Sequence, residues 1–119
     1  MIEFEQVEPG IYVYYWADQV DMEDARASFI ALKAINAGKP YAAIVDMQHI
    51  KRVPHDIAAM RAFIKEEVVE GLCGYVIFGT PAAVLSFIKP MSLLAPTTYK
   101  FASDWDAALQ MARALLASD

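Results

Sequence analysis

Tyr41-Ala42-Ala43-Ile44-Val45-Asp46 is a short apolar run that ends in a carboxylate. Gly38 and Pro40 precede it, and a polar loop from Met47 to Val53 follows it. The run has no apolar–polar alternation, so it reads as a buried-type strand. The flanking segments have helical spacing instead. Upstream, Asp21 is placed to cap a helix running to about Asn36, with Glu23 and Asp24 near its positive end and Ala25, Phe29, Leu32 and Ile35 along one face. Gly38 and Pro40 end that helix. Downstream, Pro54 or Asp56 opens a second helix, with Ile57, Met60, Ile64 and Val68 on its apolar face and Gly71 as its stop.

The same alternation continues outward. Gly74-Tyr75-Val76-Ile77-Phe78-Gly79 reads as another buried-type strand. Thr80-Pro81 starts a helix with Val84, Phe87, Ile88 and Met91 as its stripe, in which Pro90 lacks a donor and is expected to kink or stop the chain. Thr97 to Phe101 reads as the last strand. Ser103 is the expected cap of a closing helix faced by Trp105, Ala108, Leu109, Ala112, Leu115 and Leu116. Toward the amino end, Ile2 to Val7 and Ile11 to Trp16 read as two strands joined at Glu8-Pro9-Gly10-Ile11, a turn signal. Ile11, Val13 and Tyr15 alternate with Tyr12, Tyr14 and Trp16, so both faces of the second strand are apolar or aromatic and call for cover on both sides. The expected order is β-β-α-β-α-β-α-β-α, an α/β fold with a mixed, mostly parallel sheet and helices packed on it.

Composition sets the outer bounds. The chain has 119 residues, which suits one domain. With 57% apolar and 21% charged residues it is expected to fold rather than stay disordered. Its net charge of −5 argues against nucleic acid as a partner. Cys73 is the single cysteine, so no intramolecular disulfide is available. Neither a signal peptide nor an apolar run near the ~20 residues of a membrane helix is visible, and a cytoplasmic location without membrane insertion is expected.

Candidate chemistry gathers where strands end, because ligands of such sheets sit at the carboxyl ends. The densest polar segment there is Gln48, His49, Lys51, Arg52, His55 and Asp56, a basic cluster ahead of a helix start that favours an anion such as phosphate or carboxylate. His49, His55, Asp46 and Asp56 offer metal-ligand atom types, but at no spacing that a zinc site uses, and no metal or other cofactor is implied. Cys73 reads as a small buried thiol rather than a nucleophile. Asp46, Thr80 and Lys100 stand at or near three strand ends and resemble the acceptor Asp, Thr and Lys of response-regulator receivers, which makes an aspartyl-phosphate switch one alternative. Phe87, Ile88, Met91 and Leu94 surround Pro90 and mark a core stripe, a homodimer interface or the rim of a pocket for a small apolar ligand.

The strand ending in Asp46 and the tail Pro96-Thr97-Thr98-Tyr99-Lys100-Phe101-Ala102-Ser103-Asp104-Trp105-Asp106-Ala107-Ala108-Leu109 resemble the STAS domain, in particular its SpoIIAA-like members. The resemblance covers essentially the whole chain. It implies the fold of anti-sigma factor antagonists and a non-enzymatic, regulatory protein–protein interaction role. In that family the loop after the Asp strand carries Asp-Ser-Ser/Thr-Gly, whose Ser is phosphorylated. The matching stretch here, Pro54-His55-Asp56-Ile57, has no hydroxyl, so a module without the Ser switch is implied. The expected contact surface for a protein partner is His49, Lys51, Arg52, His55 and Asp56. A small-molecule or lipid-binding module of the same fold is the other alternative.

Overall fold

The structure, a computed structural model, describes residues 3–16, 22–50, 58, 62, 71–93, 95 and 97–117. The elements are β1 (Glu3–Glu8), β2 (Ile11–Tyr15), α1 (Met22–Asn36), β3 (Tyr41–Asp46), β4 (Leu72–Phe78), α2 (Ala82–Ser92), β5 (Tyr99–Ala102) and α3 (Trp105–Ala117). Between β3 and β4, Ala58 and Ala62 are helical, and the rest of the helix expected there lies outside the described residues.

The strands form one five-stranded sheet in sequence order, β1-β2-β3-β4-β5. β1 pairs antiparallel with β2, and every later pair is parallel. When parallel strands are added in one direction, crossovers of one hand leave their helices on the same face. Accordingly α1 (Ala25, Phe29, Leu32) and α2 (Val84, Ile88) share a core layer with Tyr12, Tyr14, Tyr41, Ala43, Val45, Tyr75 and Ile77. The opposite face carries Ile11, Val13, Ala42, Ile44, Val76 and Phe78, and α3 covers it through Ala108 and Ala112 with Trp105, Leu109, Leu115 and Leu116 around them. The alternation read in β2 is therefore the alternation between these two layers. Edge-on aromatic contacts knit the first layer, with Tyr14 and Phe29 ring centroids 4.5 Å apart.

Several boundaries differ from the sequence reading. In α1, Ile35 is 60% exposed and Asn36 is buried in its place. Asn36 Nδ2–H donates to the Leu32 carbonyl at 3.0 Å, so its polar group is satisfied within the helix and the buried stripe runs 25, 28, 29, 32, 36. Ser28 follows the same logic, its hydroxyl donating to the Asp24 carbonyl at 3.0 Å. Pro90 does not stop α2, which continues to Ser92 with Pro90 on its exposed side. The cap of α3 is Asp104, not Ser103: Asp104 Oδ1 accepts the Ala107 N–H at 2.8 Å, and its carbonyl accepts from Ala108 N–H. β4 begins two residues earlier than expected, with Cys73 as the extra residue of a bulge between the pairs Tyr41↔Leu72 and Ala42↔Gly74. Gly71 takes φ +85°, and a Cβ there would lie 2.6 Å from the Lys39 carbonyl, which is why the turn into β4 uses glycine. Among the described residues no helix is long and apolar enough to cross a membrane.

Candidate functional site at the carboxyl edge of the sheet

The carboxyl ends of β2, β3 and β4 are locked together by backbone bonds. Trp16 N–H donates to the Asp46 carbonyl at 3.1 Å, and Met47 N–H donates to the Phe78 carbonyl at 3.0 Å. The segment after β3 is not a free polar loop at its start. Met47 and Ile50 are buried, and Ile50 N–H returns to the Met47 carbonyl at 3.2 Å. Gln48 and His49 are held outward between these two apolar anchors. The Asp46 side chain braces the turn: Oδ1 accepts the Gln48 N–H at 2.9 Å. Gly79, at φ +73°, completes the contact from β4, since a Cβ there would meet Gln48 Cγ at 2.3 Å.

Of the residues singled out for partner contact, His49 is exposed at this edge. Lys51, Arg52, His55 and Asp56 lie outside the described residues. Of those around Pro90, Ile88 is 1% exposed and packs in the core, and Met91 is half-buried against it. Nothing is described of the Phe87 side chain, and Leu94 lies outside the described residues. Cys73 is half-buried near the amino end of β4, its thiol 3.9 Å from the Gly71 carbonyl. His49 follows the carboxyl end of β3, so the length of a strand separates the two and they form no nucleophile–base pair.

The receiver-like trio is not assembled at one level. Register runs Asp46↔Phe78↔Ala102, whereas Lys100 pairs with Val76. Lys100 therefore sits two residues, about 7 Å, back along the strand and two strands away from Asp46. Among the described residues, Lys89 of α2 stands at the carboxyl edge, its Nζ 5.6 Å from the centre of the Phe101 ring.

Lys89 borders a cavity of about 310 Å³ between α2 and the ends of β4 and β5. Ile77, Leu85 and Phe101 form its apolar wall. Thr80, Lys89 and Ser103 supply its polar groups, and the backbone at Gly79 and Ala102 completes it. The Thr80 hydroxyl donates to Met47 Sδ at 3.5 Å, which ties the cavity to the anchored turn after β3. Of the residues that sequence reading singled out around Pro90, Ile88 and Met91 lie on the core side of α2. The cavity uses the neighbouring 85/89 face, signalled only by Leu85 and Lys89 lying four residues apart, about one helical turn.

Titration at this edge is set by burial and hydrogen bonding. The Tyr15 hydroxyl donates to the Glu5 carboxylate, and this bond, with some desolvation and the nearby carboxylates, pushes its pKa up to about 12. Burial, with a smaller contribution from Tyr41, holds the Tyr14 phenol well above the usual tyrosine range. At the opposite end of the sheet, Arg113 Nε–H and Nη2–H donate to the two Glu8 oxygens, both at 2.8 Å, tying α3 to β1. That pair lowers the Glu8 pKa and raises that of Arg113. The buried Trp16 indole N–H has no acceptor among the described residues.

No protein-family profile and no curated protein matches this chain. Among solved structures it is similar to an uncharacterized protein of the DUF3478 family from Shewanella loihica PV-4, described as having a SpoIIAA-like fold. The TM-score is 0.65 at 17% sequence identity, over 94% of this chain and 92% of that one. A hairpin feeding a mostly parallel sheet in sequence order, with the described helices α1 and α2 on one face and a closing helix on the other, is thus a SpoIIAA-like, STAS-type fold.

Proposed function

We propose that the protein is a non-enzymatic regulatory module that binds a protein partner through the surface following β3. The observation that carries this reading is the SpoIIAA-like fold combined with the anchored turn after Asp46. Met47 and Ile50 fix the start of the segment, and His49 is exposed immediately ahead of the basic residues Lys51, Arg52 and His55. The segment's described start is anchored and its continuation carries Lys51, Arg52 and His55, a charge that suits an acidic partner face. Pro54-His55-Asp56-Ile57, the stretch matching the family's phosphorylated motif, has no hydroxyl, so the module works without that switch. It acts as a single domain in the cytoplasm.

The test compares wild-type protein with the Lys51→Ala/Arg52→Ala/His55→Ala variant. Each is captured with its partners from the native cells, and each co-purified protein is then titrated in purified form. A partner whose affinity falls in the variant supports the reading. Partners all bound with unchanged affinity overturn the site.

A further inference from the structure

The cavity between α2 and the ends of β4 and β5 has the two-part chemistry of a ligand site. Its wall of Ile77, Leu85 and Phe101 is apolar, and its polar groups are Thr80, Lys89 and Ser103. All three polar side chains are able to donate hydrogen bonds, and none of the described lining residues is acidic. The Lys89 ammonium is 5.6 Å from the Phe101 ring centre, so its charge stands beside the apolar wall. The Thr80 hydroxyl's present acceptor is a thioether sulfur, a weak one that an anion would replace. The space is a half-open depression of about 310 Å³, which suits a short body better than a long lipid chain.

From this we infer that the cavity binds a small amphiphile with a single carboxylate head, its short apolar body against Ile77, Leu85 and Phe101 and its head on Lys89 and Ser103. This site uses residues other than those of the partner surface, so either can fail alone.

Sodium octanoate, octan-1-ol and sodium acetate serve as probes in amide NMR titrations of the full chain. Octanoate is expected to shift the amides of Gly79, Leu85, Lys89 and Ser103 saturably, and acetate to bind more weakly because it lacks the apolar body. Lys89→Met keeps an apolar stem at an exposed position. It is expected to weaken octanoate by about threefold or more, the scale of a partly exposed ion pair, and to leave octan-1-ol unchanged. The inference is overturned if octanoate leaves those amides unmoved, if Lys89→Met binds it as tightly as wild type, or if acetate binds equally well.

Discussion

Asp104 and Ser103 show how much rests on a single position. Both are good caps by residue type, and only the backbone path decides between them. Because Asp104 Oδ1 accepts the Ala107 N–H, Asp104→Ala is expected to cost about 1 kcal/mol in urea unfolding, with Ser103→Ala close to wild type. Equal losses from the two would contradict the assignment. The tyrosines make a second prediction at this scale. Tyr15 and Tyr14 are both held neutral in the folded state, with Tyr15 pushed up to about 12, while an unfolded tyrosine ionises near 10. Their contribution is fully present below pH 10 and is lost as pH rises toward the folded values. Stability measured by denaturant should fall from pH 10 upward, and Tyr14→Phe should flatten that limb more than Tyr15→Phe, because Tyr14 is the more deeply buried.

At the scale of the element, the helices divide into parts that sequence pattern reveals and parts it does not. The position and length of α1 are legible, but its rotation is not fixed by hydrophobicity alone. Ile35 is the more apolar residue, yet Asn36 lies on the 25/29/32 stripe and hides its amide on the Leu32 carbonyl. The consequence is measurable: Leu32→Ala, at 0% exposure, should cost about 2–5 kcal/mol. Ile35→Ala should stay within about 0.5 kcal/mol of wild type by the same unfolding assay. Two comparable losses would mean that the helix is turned the other way. α2 carries the same lesson toward function. Ile88 and Met91, two of the residues read as a core stripe, an interface or a pocket rim, pack in the core layer beside Val84. Leu85 and Lys89, one position on from Val84 and Ile88, border the cavity, and nothing in the linear pattern distinguishes a helix face turned to a gap from one turned to solvent.

For the molecule as a whole, the alternation of apolar strands with helical stripes was sufficient to read the sheet and the order of the described elements. Each strand, taken with its neighbouring helix, states its own two faces. β2 is the clearest case, its two sets of residues splitting cleanly between the core layers. The functional edge was less legible, since it depends on register. The trio Asp46, Thr80 and Lys100 looks coherent in one dimension. The pairing of β3, β4 and β5 sets Lys100 back from the edge, and α2 brings Lys89 there instead. Strand order matters too. A sheet in strict sequence order has no reversal point to open a crevice between oppositely wound halves. Among the described residues, the carboxyl edge is bordered by a cavity of about 310 Å³ beside α2. The most direct test is native mass spectrometry of the protein purified gently from its own cells, wild type beside the Lys51→Ala/Arg52→Ala/His55→Ala variant. A defined complex with a second protein, present for wild type and depleted for the variant, is the predicted result. A chain carrying no protein partner, or a complex that the variant retains in full, would contradict the account.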